Sequence, residues 1–195
     1  MAKNMTVTPD QWLPRGEVAV TEGRRVPLVV FGGIVGEEAE VKVVYKGQNQ
    51  HQALFVAAEP AHGDRMQIPC DRYEPCGGCP LMHLSPEAQA DVRTLHVRRA
   101  LDEVGLTDVP VEGWHKSPDG YFGFRHVVKL GIDWSNDGER VKIGAFGRRN
   151  RTIVPIPKCH VAAPVLRRTM AALAHHILDL GLQPYDPETD RGVLR

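Results

Sequence analysis

Apolar and polar positions change period along the chain. Residues 17–20 (Glu-Val-Ala-Val) are a short alternating stretch, closed by the turn pair Glu22-Gly23. Residues 25–31 are an apolar run. Pro27 within that run predicts an edge strand, because proline cannot donate to a ladder. Gly32, Gly33 and Gly36 punctuate the next connection. Residues 40–46 alternate polar with apolar, the period-two signal of a half-buried strand. A Gly47-Gln48-Asn49 turn leads to a return strand over 52–58. Short strands with glycine turns at close spacing predict a small OB-like β-barrel over residues 9–62.

The period then becomes helical. Ser85 suits an N-cap, Pro86 the first helical position, Glu87 the first turn and Gly105 the end. Ala88, Val92, Leu95, Ala100, Leu101 and Val104 supply the apolar face of that helix. Residues 124–134 read as a strand, Asn136-Asp137-Gly138 as a hairpin turn, 141–146 as the partner strand and 152–156 as a third. Pro164 opens a second helix that Gly181 closes. Its Leu166, Met170, Leu173, Ile177 and Leu180 recur at amphipathic spacing. The predicted class is α+β. It comprises the barrel at 9–62, a cysteine-rich loop with its helix at 63–110, and an incomplete α+β segment at 111–195.

Composition narrows the class without changing it. The 195 residues are 42% hydrophobic and 25% charged, ordinary globular usage that excludes disorder across the whole chain. No stretch reaches the ~18 apolar residues of a membrane helix. The first residues lack the apolar core of a signal peptide, so the expectation is a cytoplasmic protein that does not enter a membrane. Charge changes the picture more. The net charge is zero, yet residues 63–110 carry 5 basic and 8 acidic side chains and residues 111–160 carry 9 and 5. Arg140, Lys142, Arg148, Arg149, Arg151 and Lys158 follow one another with no acid among them. A local patch of this kind suits a phosphate backbone; a solvated face is the plainer reading.

All four cysteines of the chain fall in one pattern: Cys70, Cys76, Cys79 and, far downstream, Cys159, with Gly77-Gly78 inside the near group. Three readings compete. Two disulfides are arithmetically possible, but without a secretion signal the compartment is reducing. Structural zinc is normally held by two Cys-x2-Cys knuckles, and only one is present; a three-cysteine site completed by His83 is a variant. A [4Fe-4S] cluster needs four thiolates around a large inorganic core, and glycines let the backbone pass close to the sulfides. Ligand type and spacing favour the cluster, with Cys70, Cys76, Cys79 and Cys159 as its ligands. His175 and His176 are adjacent on a helix and point about 100° apart, so they read as surface or structural histidines rather than a metal pair.

The run from Cys70 through Cys76-Gly77-Gly78-Cys79-Pro80-Leu81-Met82-His83-Leu84-Ser85 resembles the cluster motif of RNA (uracil-5-)-methyltransferases. Arg15-Gly16-Glu17-Val18-Ala19-Val20 and the segment from Pro27 to Glu37 are similar to the TRAM domain that precedes that motif. Residues 144–159, ending in Lys158-Cys159, resemble the family's central-domain hairpin leading to the fourth ligand. Gly192-Val193-Leu194-Arg195 resembles the start of the next strand. Four segments match in order over most of residues 15–195. The family's Tyr-Arg-Asn-Lys segment stands here as Phe124-Arg125-His126-Val127, so only the arginine is kept.

The resemblance implies the following. The 23S rRNA branch of the family is favoured over tRNA as partner, and no DNA is expected. TRAM-like barrels bind single strands with cations and stacking aromatics. The RNA-binding candidates are Arg15, Arg24, Arg25, Lys42 and Lys46 in the barrel, and Arg125, Arg148, Arg149 and Arg151 in the central segment. Tyr45 is an accompanying aromatic, whereas Phe31 reads as core. Catalysis in the family uses a cysteine thiolate on C6 of uracil and a methyl group from S-adenosylmethionine on C5. With every cysteine committed to a cluster no nucleophile is left. Gly32-Gly33-Ile34-Val35-Gly36 is followed by a strand, not the helix of a dinucleotide loop. The sequence also stops before the family's S-adenosylmethionine-binding Rossmann-like domain. The expectation is therefore an RNA-recognition and cluster-bearing portion with no catalytic or cofactor-binding residue of its own and no methyl transfer alone. The alternative is a non-catalytic RNA-binding protein with a structural metal site. Methyl transfer to uracil needs no electron, which makes the cluster structural rather than redox-active.

Overall fold

The computed structural model describes residues 4–115, 117–118, 120–135, 141–149, 152–186 and 188–194. The chain divides into two compact units, one of Met1–Gln67 with Pro80–Trp114, the other of Ile68–Cys79 with His115–Arg195. Each is built around its own sheet.

In the first unit six strands form one sheet: β1 (Asn4–Val7), β2 (Gln11–Trp12), β3 (Val18–Val20), β4 (Leu28–Phe31), β5 (Ala39–Lys46) and β6 (His51–Ala57). Their order is β1-β5-β6-β4-β3-β2. The alternation predicted for residues 40–46 holds in its first part, where Ala39 and Val41 are buried while Glu40 and Lys42 are exposed; it ends at the register shift between Val43 and Tyr45, beyond which Tyr45 and Lys46 are both exposed. Val7, Val18, Val20, Leu28, Val30, Ala39, Val41 and Ala53 make the core, with Phe55 and Trp12 packed against it. The expected edge strand is central instead. β4 pairs antiparallel with β3 and parallel with β6. Pro27 stands just before the strand, and its carbonyl accepts from His51 N at 2.9 Å, so its missing N–H interrupts no ladder.

After β4, Gly32 and Gly36 take φ of 79° and 80°, left-handed values that favour glycine. The glycine cluster is thus a turn into β5, as expected, and not a nucleotide loop. The turn is pinned at Glu37. This carboxylate is 3% exposed. It accepts from Arg65 Nε at 2.8 Å, from Arg65 Nη2 and from His62 N at 3.0 Å. Arg65 also donates to Gly32 O at 3.0 Å and lies 3.7 Å above the Phe55 ring. Burial pushes the Glu37 carboxyl up, and the Arg65 and His62 hydrogen bonds more than offset that, leaving it below the ordinary value.

Helix α1 (Pro86–Glu103) begins where the cap residues place it, with Ser85 Oγ accepting from Ala88 N at 3.2 Å. Val92 is its buried residue and joins Ile34, Leu81 and Leu84 in a second core, flanked by Trp12 and Ala88. Val104, expected on the buried face, is the C-cap and is 69% exposed. Gly105 ends the helix at φ 78°.

The second unit has a three-stranded antiparallel sheet, β7 (Gly131–Trp134), β8 (Val141–Phe146) and β9 (Ile153–Val154), in that order. The expected strand over 124–134 shrinks to its last four residues. Arg125 bridges instead in parallel to Ala162. The third strand is also shorter than expected, covering 153–154 of 152–156. The Asn136-Asp137-Gly138 turn lies outside the described residues. Gly144 is required at its place, since a Cβ there would run into the Val154 carbonyl. Helix α2 (Pro164–Asp179) buries Ile177, but Leu173 and Leu180 of its predicted face are largely exposed. Among the described residues no helix is long and apolar enough to cross a membrane.

The expected α+β class therefore holds. The segment expected as one piece over 63–110 is divided. Residues 68–79 hydrogen-bond to the second unit's sheet, whereas Leu81, Leu84 and Val92 pack with Ile34 in the first.

Candidate metal centre

The cysteine loop of residues 68–79 is fixed by backbone bonds at both ends. Tyr73 N donates to Cys70 O at 3.2 Å and Cys76 N to Arg72 O at 2.9 Å, winding the first part into turns. Cys76 then forms an antiparallel bridge with Gly147, Gly77 N donates to Phe146 O at 3.3 Å, and Arg148 N to Pro75 O at 2.8 Å. A side chain at Gly77 would stand 3.3 Å from Arg148 Cα, so the glycine permits the close approach. Gly78 N donates to Cys76 Sγ at 3.4 Å. Amide bonds to sulfur of this kind tune iron–sulfur sites.

Two arginines complete the loop's support. Arg148 stacks over the Tyr73 ring at 4.6 Å and donates from Nη2 to Tyr73 O at 3.0 Å. Arg125 Nη2 donates to Gly78 O at a long 3.4 Å. Its backbone is tied beside the remote cysteine: Arg125 N donates to Val161 O at 2.8 Å, and Ala163 N to Arg125 O at 2.9 Å. Arg149 pairs with Glu74 at 3.0 Å. Three of the four central-segment arginines expected at RNA phosphates thus bind carbonyls or a carboxylate of the cysteine loop. Arg151 lies outside the described residues. Sequence reasoning counted these charges and missed what they meet, because the Gly78 and Tyr73 acceptors are main-chain oxygens with no signature of their own and the Glu74 carboxylate lies 75 residues from Arg149.

All four thiols are free and half-buried, so the disulfide reading is not the one this structure adopts. They influence one another. Burial pushes the Cys79 thiol up to about 11; Arg125 pulls it down, and Cys159, Cys76 and Cys70 push it up. Burial likewise raises Cys70, the Arg72 amide lowers it, and Cys76, Asp71 and Cys159 raise it. A thiol pushed up this far is protonated at neutral pH and a poor nucleophile, whereas a coordinating thiol is deprotonated outright.

Among the described residues, however, no three His, Cys, Asp or Glu side chains gather tightly enough to hold a metal ion. One zinc at ~2.3 Å from each sulfur would demand that tightness. His83, the alternative zinc ligand, is fully buried in the first unit, with Nε2 3.0 Å from Gly33 O. His175 does not reach for a metal either: it pairs with Asp179 one turn on, at 3.1 Å. Four cysteine thiols are the donor chemistry of an iron–sulfur cluster, which seats each thiolate on a different iron.

In the sheet unit, Arg15, Arg25, Lys42 and Lys46 are exposed, and Arg24 is half-buried with Nη2 4.0 Å from Met5 Sδ. Tyr45 is 56% exposed beside Lys46, and Phe31 is buried in the core as its position in the apolar run implies.

No family model matches the chain. It is 29% identical over 168 residues to an uncharacterized RNA methyltransferase of Clostridium tetani, covering 86% of this chain and 36% of that protein. It is 28% identical over 166 residues to the 23S rRNA (uracil(1939)-C(5))-methyltransferase RlmD of Halomonas elongata, covering 85% and 33%. The chain is homologous to RNA methyltransferases. It spans about a third of the length of the curated relatives it matches. Among solved structures it resembles the Pyrococcus abyssi tRNA (uracil-54, C5)-methyltransferase in complex with S-adenosyl-L-homocysteine. The TM-score is 0.62 at 23% identity, over 96% of this chain and 40% of that one, a likeness of fold.

Proposed function

We propose that this chain is the RNA-recognition and cluster-bearing portion of an S-adenosylmethionine-dependent RNA (uracil-C5) methyltransferase acting on 23S rRNA. What supports the reading is the set of four free, half-buried cysteines, with Cys76 bridged to Gly147 and Arg125 bonded both to Gly78 and beside Cys159, in a chain similar to RNA methyltransferases. Relatives named for uracil-C5 of 23S rRNA support the substrate. The S-adenosyl-L-homocysteine complex of the structural neighbour supports the methyl donor.

In this reading the four cysteines hold a [4Fe-4S] cluster. When bound, it supplies a cross-link between the loop of residues 70–79 and the segment ending at Cys159. The residues themselves position RNA. The TRAM-like sheet unit offers Arg15, Arg25, Lys42 and Lys46 to phosphates and Tyr45 to a base. No cysteine is left for attack on uracil, so methyl transfer belongs to the whole protein rather than to these residues.

Anaerobic purification followed by metal and acid-labile sulfide analysis tests the centre. The expected result is iron and sulfide in equal amounts; zinc without sulfide overturns it. Binding of a 23S rRNA fragment in competition with tRNA tests the partner. Equal or weaker competition by the rRNA fragment overturns the substrate assignment.

A further inference from the structure

Arg125 sits where the two halves of the cysteine pattern meet. Its backbone is bonded to Val161 and Ala163, two and four residues beyond Cys159. Its guanidinium bonds Gly78 O, the residue before Cys79. A Cβ at Gly78 would lie 3.5 Å from Cys76 Sγ and 3.7 Å from Arg125 Nη1, so cation and sulfur flank the same glycine. Arg148 braces the opposite end of the loop at Tyr73 and Pro75.

We propose that Arg125 is a positioning residue of the metal centre: it ties the Cys159 segment to the Cys76–Cys79 loop and compensates the negative charge that four thiolates bring to a cluster. The proposal rests on the cluster reading. A cation at this place does two separable things. Its fork geometry holds a carbonyl, and its charge favours the more negative, reduced cluster. Lysine keeps the charge and loses the fork.

The test uses the full chain purified anaerobically, as wild type, Arg125→Gln and Arg125→Lys. Iron release to a chelator and the midpoint potential, followed by the cluster's electron paramagnetic resonance signal during one-electron reduction by dithionite, are the readouts. Loss of an outer-shell partner typically weakens metal affinity about 10–100-fold, so the Gln variant should release iron faster by about that factor. Its reduced-to-oxidised ratio should fall about tenfold at fixed potential, about 59 mV for a one-electron couple. The Lys variant should restore the potential and only part of the retention. An iron-loaded Gln variant with wild-type potential and release overturns the proposal. If that variant instead loses only RNA affinity, Arg125 is a phosphate contact and the proposal also fails. Should the Gln variant not load, the Lys variant decides: loading at wild-type potential supports the charge role, and failure to load refutes it. A wild-type chain without iron overturns the cluster reading itself, an outcome distinct from the others.

Discussion

Replacing Glu37 by leucine while Arg65 remains would leave a guanidinium uncompensated in the first unit. The Arg65 side chain is 12% exposed and that of Glu37 1%. Removing one partner of a buried pair costs about 3–5 kcal/mol, whereas replacing both by apolar groups of similar size is often neutral or stabilising. Here Arg65 also loses the Nε acceptor at 2.8 Å, and His62 N its acceptor at 3.0 Å. A loss of about 3–5 kcal/mol is therefore expected for Glu37→Leu. For Glu37→Leu with Arg65→Met the expected loss is smaller by about 2 kcal/mol or more. Urea unfolding monitored by hydrogen exchange of β5 and β6 amides reads the first unit without the second. The carboxyl also predicts a pH dependence. Because its folded pKa lies below the ordinary 4.5, its contribution is fully present above that value and is lost as pH falls through the lower folded pKa. Glu37→Gln should remove that acid-limb dependence. A single substitution that costs less than about 1 kcal/mol, with the acid limb unchanged, would show a solvated, dispensable pair and refute the buried-pair account.

Other outcomes follow from the same structure. Cys159→Ser should lose iron and lower thermal stability in anaerobic preparations; full iron content at unchanged stability would remove the remote ligand from the centre. Gly144→Ala places a Cβ within 2.8 Å of Pro155 Cα and against the Val154 carbonyl, so β8 and β9 must part. Soluble, fully protected β9 amides in that variant would contradict this. Lys42→Ala with Lys46→Ala should leave stability within about 0.5 kcal/mol. It should also flatten the salt dependence of RNA binding, by about 0.7 in slope for each phosphate that is no longer neutralised. An unchanged slope would move the RNA path off β5.

What the sequence made legible was local. The alternation at 40–46 with its glycine turn placed the β5–β6 hairpin, and Ser85-Pro86 placed the start of α1, because caps and period-two patterns act over a few residues. Non-local pairing was not legible. Nothing in the run before Phe31 says that β4 will lie parallel to β6, or that Arg125 will bridge to Ala162 and so shorten the strand ending at Trp134. The four cysteines stood out as a candidate site because thiol chemistry is scarce and their spacing is uneven. For the arginines beside them the sequence offered RNA phosphates and gave no sign of the acceptors they meet within the chain. A guanidinium that meets a carbonyl such as Tyr73 O or Gly78 O looks, in one dimension, like any other cation.

The route of the chain between its two units has a consequence for synthesis. The first unit is complete once Trp114 has emerged, although its chain leaves at Gln67 and returns at Pro80. The excursion between them carries Cys70, Cys76 and Cys79, while Cys159 follows 80 residues after Cys79. At ~5–20 residues per second that interval lasts roughly 4–16 s. For those seconds Cys70, Cys76 and Cys79 have been made, while β7, β8 and β9 of the unit they join are still being synthesised. On the cluster reading, the fourth ligand is thus the last to be made, and iron and sulfide can be taken up in full only then.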